Sequence, residues 1–186
     1  MLAFKAFSKE LTATRGNNQN GPFQFKEGIK YIESECKCAK NGFHCAENPL
    51  CCLTYYNENS RFFIVKAEGD INQDGHGSRI SCTELTLVKE ISLLQMGTYA
   101  CQYIAKYPKR ELESTYAVKD QGKCTGEFLI IVGKKPTAQG KIGSVLFFME
   151  ENHGKIKSIC PIQIGEDGYK ENTDYIMKGG KVYEKK

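Results

Sequence analysis

The stretch Asn41–Tyr56 reads NGFHCAENPLCCLTYY and holds the densest set of local signals in this chain of 186 residues. Gly42 can take the positive φ of a tight turn, and a short extended run follows it. Glu47 or Asn48 can cap a helix, and Pro49 suits its first position. Leucine and tyrosine then recur with the spacing i, i+3, i+6, which indicates a helix of about two to three turns. The stretch therefore predicts a turn, a strand and a short helix.

The composition is that of a globular protein without a membrane-spanning segment. The chain is 40% hydrophobic and 26% charged, with a net charge of +4. This mildly basic balance does not by itself require a nucleic-acid partner. No stretch approaches the roughly 18 apolar residues of a membrane span, and the N-terminus lacks the apolar core of a secretion signal. We therefore expect a cytoplasmic protein with no membrane partner.

The nine cysteines are predicted to be reduced thiols. An odd count without a secretion signal argues against a disulfide framework. Five of the cysteines fall within seventeen positions, from Cys36 to Cys52. Their spacing is C-x-C, a lone cysteine and an adjacent pair, whereas structural zinc sites use paired C-x₂₋₄-C spacings. We expect neither a metal nor a cofactor.

The sequence around the central stretch predicts strands and one long helix. The loop Gly69–Ser78 carries alternate oxygen-bearing side chains like a calcium loop, but Ser81 stands where the closing glutamate belongs, so we expect no calcium. The helix Glu90–Tyr107 ends before a proline. The predicted strands are Leu2–Phe7, Phe23–Phe25, Ile29–Ile32, Phe62–Ala67 and Arg79–Val88.

The predicted fold class is α+β. A polar segment, Pro108–Ser114, separates residues 1–110, a mixed domain of about five strands and two helices, from residues 115–186, an all-β segment. The all-β segment contains two Gly-Lys repeats, Gly122–Gly126 and Gly140–Gly143. Fewer than three repeats rarely fold alone, so this segment is expected to form a small sheet or to assemble with another copy of the chain.

Several motifs resemble those of a family of small proteins encoded by bacteriophages and prophages. The Gly-Phe-His turn leads through Asn-Pro to a helix that ends in Tyr-Tyr, and Ser60-Arg61 and a strand follow. The other matching segments are Phe4–Phe7, Arg15-Gly16, Phe23–Gly28 and the region from Gly140 to Ile176. The resemblance implies a phage or prophage origin and a bacterial host cell, and it implies no reaction, because that family is mostly of unknown function.

The leading functional hypothesis is a non-enzymatic accessory protein that binds and inhibits a host defence protein. Its specific form is anti-CRISPR inhibition of an effector nuclease. The small size, the absence of a catalytic constellation and the ten tyrosines and ten phenylalanines favour an interface over an active site. No catalytic residue is assigned. The candidate binding residues are Arg15, Phe43, His44, Tyr55 and Arg61.

An ADP-ribosyltransferase-like enzyme is the alternative. In that class, a basic residue such as Lys5 or Arg15 would hold phosphate, Phe43 and Tyr55 would stack on nicotinamide, and a glutamate of Glu111–Glu113 would stabilise the oxocarbenium ion. The chain lacks the Ser-Thr-Ser that follows a strand in such enzymes, and its glutamates lie in a polar segment.

Other activities have weaker support in the sequence. Cys45 directly follows His44, but neighbours on a strand point to opposite faces, so they do not form a catalytic dyad. Four arginines are few for direct nucleic-acid binding, which the sequence does not favour. A third hypothesis is a structural or assembly module of the phage.

Overall fold

The computed structural model describes residues 1–13, 22–75, 77–112 and 114–185, and strands dominate this part of the chain. The chain divides into two compact units, Met1–Met96 and Gly97–Lys186. The first unit contains β1 (Leu2–Phe7), β2 (Thr12–Ala13), β3 (Phe23–Gln24), β4 (Lys30–Ile32), β5 (Phe43–Ala46), a 3-10 helix (Pro49–Thr54), β6 (Arg61–Gln73) and β7 (Arg79–Ile91).

The main sheet of the first unit nearly closes into a barrel. Its strand order is β4-β7-β5-β1-β6, and β6 pairs with β7 a second time. Because β7 meets β6 along one edge and both β5 and β4 along the other, the ring β7-β5-β1-β6 returns on itself. Alternate side chains of these strands fill the interior. The largest of them are Phe7, Phe63, Ile80, Leu85 and Leu87, each less than 2% exposed.

The predicted α+β class is wrong, because the first unit is a sheet and not a mixed domain with two helices. The segment after Pro49 forms a six-residue 3-10 helix, and cysteine and threonine are poor formers of a longer α-helix. The predicted loop Gly69–Ser78 is strand as far as Gln73. At the bulge, the Thr83 hydroxyl accepts the Asp70 N–H at 2.9 Å, and the ladder to β7 resumes at Ile71.

One α-helix follows, α1 (Leu93–Lys106), and from Gly97 onward it belongs to the second unit. Its bounds lie within the predicted Glu90–Tyr107. In the described residues, the structure contains no helix with the length and apolarity needed to cross a bilayer.

The second unit stacks three parallel strands: β8 (Ala117–Cys124), β9 (Phe128–Gly140) and β10 (Val145–Asn152). Only three residues join β8 to β9, whereas straight parallel strands need a connection of about a dozen or more. The strands must therefore turn back on themselves. The ladder between β8 and β9 breaks at that corner, where Asp120 has a φ of 60°.

The remaining strands of the second unit are antiparallel. They are β11 (Lys155–Gln163), which pairs with β10, and the hairpin β12 (Tyr175–Lys178) and β13 (Lys181–Glu184), which pairs with the second half of β9. Leu146, Phe148 and Met177 lie in its hydrophobic core. The domain boundary predicted at residues 110–115 stays a prediction.

Candidate functional site

The turn at Gly42 fixes the start of the central stretch. Gly42 has a φ of 78°, which confirms the positive φ predicted from the sequence. A Cβ at this position would lie 2.6 Å from both Cys36 Cβ and Ser81 Oγ and 2.9 Å from the Cys82 carbonyl oxygen. The turn is therefore restricted to glycine by conformation and by space, and it aligns β5 against β7.

Phe43 lies in the core of the first unit. It is 7% exposed, and its ring centroid is 6.1 Å from that of Phe25 and 6.4 Å from that of Tyr31. Cys45, two residues on, faces the same interior. The ring of Phe43 therefore packs on the core side of β5, and it offers no free face for a ligand.

His44 points to the opposite face of β5, where it is half-buried. A hydrogen bond to the Gly42 backbone orients the ring. Its Nε2 atom is buried and has no hydrogen-bond partner in the described part of the chain. Burial, and then the positive charges of Lys5 and Arg79, lower the pKa of His44. The ring is therefore held neutral, with its second nitrogen unused.

Arg79 occupies the same outer face, diagonal to His44 across the pair β5–β7. One guanidinium nitrogen donates to an Asp74 carboxylate oxygen, and another donates to the Tyr55 hydroxyl at 2.8 Å. The hydrogen bond to Asp74 is the main reason that the pKa of Arg79 is raised. Although Tyr55 is 64% exposed, its hydroxyl is therefore fixed. We call Tyr55, Arg79, Asp74 and His44 the Tyr55 surface.

Arg61 is committed to a separate pair. Its guanidinium donates to both carboxylate oxygens of Glu90 at 2.7 Å, and it stacks 5.5 Å from the ring centroid of Phe63. The hydrogen bond to Glu90 raises the pKa of Arg61. Arg61 therefore links the first residue of β6 to the last residues of β7. In the described residues, no contact links it to the Tyr55 surface.

Lys5 points inward with Ala3 and Phe7, as the alternation of β1 requires. Its ammonium donates to the His44 carbonyl at 2.7 Å and lies 5.4 Å from the ring centroid of Phe7. Burial lowers its pKa. The transferase alternative assigns phosphate binding to Lys5, but in the structure its ammonium links β1 to β5.

All nine cysteines are free thiols in this structure. Burial raises the pKa of Cys52 to about 12 and that of Cys101 to about 12, so both remain protonated at neutral pH. Among the described residues, no group of three or more histidines, cysteines and carboxylates has the arrangement of a metal site.

The structure thus brings two of the five candidate binding residues, His44 and Tyr55, onto one surface around Arg79. Arg15 lies outside the described residues, as does Glu113 from the transferase alternative. Sequence reasoning missed Arg79 and Asp74. One signal in the sequence could have pointed to Arg79. The chain has four arginines, and Arg79 is the one that begins the long strand β7.

Comparison with known proteins gives a family and nothing further. A family described as a domain of unknown function, DUF7666, matches residues 1–98. No curated protein and no solved structure matches the chain.

Proposed function

We propose that this chain, which belongs to the DUF7666 family of domains of unknown function, acts without catalysis by binding a protein of a bacterial host. The proposed context is that of a phage or prophage accessory protein. The specific target class is a CRISPR effector nuclease, which the chain would inhibit. The phage-like motifs of the sequence and the geometry of the Tyr55 surface support this proposal.

The main observation behind this proposal is that the side chain of Tyr55 is exposed and is also held by a hydrogen bond. A tyrosine that is 64% exposed would ordinarily lose rotamer freedom on binding, and that loss costs affinity. Here the hydrogen bond from Arg79 already holds the side chain, and Asp74 holds Arg79 in turn. The ring is therefore pre-ordered for contact, with one face apolar and one end polar.

The residue types of this surface are those that dominate protein interfaces. Tyrosine and arginine are enriched among residues whose truncation costs about 2 kcal/mol or more of binding free energy. His44 adds a neutral acceptor nitrogen close by, beneath the accessible surface. The exposed ring of Tyr55 and the Arg79–Asp74 pair would meet a partner patch with an aromatic or aliphatic centre and a polar rim.

The transferase alternative gains no support from the described residues. It requires Phe43 to stack on nicotinamide, but that ring is packed against Phe25 and Tyr31 in the core. It also requires Lys5 to bind phosphate, whereas the ammonium is turned inward to the His44 carbonyl. We therefore propose the binding role alone.

The proposal is tested by the survival of a CRISPR-targeted phage in host cells that express variants of this chain. Wild type is expected to restore plaque formation. Tyr55→Ala should weaken binding of the target by at least about tenfold, or ~1.4 kcal/mol, and should therefore restore plaque formation much less well. Tyr183→Ala is the matched control, because Tyr183 is 50% exposed and lies in the second unit. Equal protection by wild type and Tyr55→Ala, at matched protein levels, would contradict the proposed surface.

A further inference from the structure

Two buried polar atoms on the outer face of the pair β5–β7 have no hydrogen-bond partner among the described residues. They are His44 Nε2 and Arg79 Nε. A third such atom, Asn41 Oδ1, lies in the turn before β5. Buried polar atoms are almost always hydrogen-bonded, either to protein groups or to ordered water. Two unpaired atoms on one face therefore indicate a shared partner.

The two atoms are of opposite kinds. The His44 ring donates a hydrogen bond to the Gly42 backbone, and because Nε2 has no partner, the donor is Nδ1. In the neutral ring Nε2 is therefore an acceptor, whereas the Nε–H of Arg79 is always a donor. The other two guanidinium nitrogens of Arg79 already donate to Tyr55 and Asp74. One acceptor and one donor are thus left to be paired.

The strand register places the two side chains next to each other. His44 pairs with Ser81 and Ala46 pairs with Arg79, so His44 and Arg79 are diagonal neighbours on one face. Such neighbours lie about 7–8 Å apart along the backbone, within reach of long side chains. Burial and then the charges of Lys5 and Arg79 lower the pKa of His44, so the guanidinium is close enough to act on the ring. The two nitrogens make no direct hydrogen bond, and one water spans a gap of about 5–6 Å.

The Cys38 thiol also borders the guanidinium of Arg79, but it does not supply the missing partner. Its S–H is directed at the Arg79 carbonyl oxygen, with the sulfur 3.8 Å from that oxygen. Burial raises the pKa of Cys38, so the group stays a protonated thiol, and a thiol sulfur is only a weak acceptor. The carboxylate of Asp74 is bound to a different nitrogen of Arg79.

We propose that one water molecule is bound beneath the Tyr55 surface, where it accepts a hydrogen bond from the Nε–H of Arg79 and donates one to His44 Nε2. Two protein partners fall within the range of about two to four that buried waters make. All three guanidinium nitrogens are then hydrogen-bonded. His44 becomes a positioning residue, which acts on Tyr55 through the water and Arg79. The inference rests on the Tyr55 surface of the proposed function, but it concerns the chain without a partner.

The test is proton–nitrogen NMR of the isotope-labelled full chain at neutral pH. The Nε–H of Arg79 is expected to give a cross-peak at the water frequency. The sign of that cross-peak should reverse between laboratory-frame and rotating-frame NOE spectra, which distinguishes a bound water from hydrogen exchange. Long-range spectra should show Nε2 as the unprotonated nitrogen of the His44 ring. A missing cross-peak in wild type, or a proton on Nε2, would overturn the proposal.

Three variants test the part of His44. His44→Phe keeps a ring but removes the acceptor, so it should lose the cross-peak and make the Tyr55 ring more mobile. His44→Gln keeps an acceptor oxygen and should retain the cross-peak.

Tyr55→Phe is the matched control, because it removes the hydroxyl whose own proton exchanges with water, and it should also retain the cross-peak. An unchanged cross-peak in folded His44→Phe, or its loss in His44→Gln or Tyr55→Phe, would contradict the water site. If His44→Phe does not fold, the wild-type spectra and His44→Gln decide. No partner is present in these spectra, so their failure is distinct from a failure of the proposed function.

Discussion

At the scale of single residues, the central stretch shows how one backbone constraint arranges a surface. Gly42 sets the register in which Phe43 faces the core and His44 faces outward, and it thereby brings His44 onto the face of Arg79. Tyr55 and Asp74 complete the surface through hydrogen bonds with Arg79, and His44 completes it by lying half-buried beside Arg79. A change at Gly42 should therefore disturb both stability and the candidate site.

Gly42→Val is expected to be severely destabilising, and Gly28→Val less so. Both glycines have positive φ, 78° and 73°, so both substitutions strain the backbone by about 1–2 kcal/mol. Only Gly42 is also crowded, since nothing lies within 4 Å of a Cβ at Gly28. Overpacking adds about 1–3 kcal/mol at Gly42. Urea denaturation of the two variants measures the difference, and equal losses would show that space does not matter at this turn.

His44 should make the first unit less stable as the pH falls below about 6.5, the ordinary pKa of histidine. Its folded-state pKa is lowered, so the unfolded chain binds the proton more readily, and stability present above the unfolded pKa is lost on acidification. In His44→Gln the free energy of unfolding should depend less on pH between 7 and 5.5. His153→Gln is the control, because His153 is exposed. An unchanged pH dependence in His44→Gln would contradict the neutral, buried ring.

At the scale of elements, the pairing of strands determines more of the structure than local sequence signals can predict. The turn at Gly42, the strand after it and the helix before Pro108 are local, and the sequence predicts their places. Two other features are not set by local signals. One is the shortness of the 3-10 helix, which has six residues. The other is the continuation of β6 past Ala67, which depends on a hydrogen bond at the bulge to Thr83 of the partner strand. Tyr55 and His44 could be singled out from the sequence, but Arg79 is brought to them by β7.

A carboxylate of β10 closes the hairpin β12–β13. Glu150 accepts the N–H groups of Gly179 at 2.9 Å and Gly180 at 2.8 Å, and Ser158 donates to it at 3.2 Å. The hydrogen bond from Gly179 is the main cause of its lowered pKa. The stability it contributes is therefore present above the ordinary glutamate pKa of about 4.3 and is lost as the pH falls.

Glu150→Gln should accordingly lower the stability of the second unit at pH 7 and flatten its dependence on pH below about 4.5. Glu151→Gln is the matched control, since the neighbouring carboxylate makes none of these bonds to the hairpin. Amide hydrogen exchange of Gly179 and Gly180 reports the effect directly. Wild-type protection of both amides in Glu150→Gln would show that the carboxylate does not hold the turn.

At the scale of the whole molecule, the two units differ in charge and in architecture. The first unit is neutral and nearly barrel-like, while residues 97–186 carry the entire net charge of +4 on a stack of parallel strands. The family match covers residues 1–98, which includes every residue of the Tyr55 surface. The binding role proposed for this chain therefore rests on the part of the molecule that its family shares.

The most direct test of the binding role is a titration of the purified chain against a fixed concentration of a purified CRISPR effector nuclease, with DNA cleavage as the readout. A binding protein should stop cleavage at about one equivalent, without NAD and without dependence on incubation time. Tyr55→Ala should shift the titration to at least about tenfold higher concentration, while Tyr183→Ala should leave it unchanged. Inhibition well below one equivalent that grows with time, requires NAD and labels the nuclease from NAD would contradict the binding role.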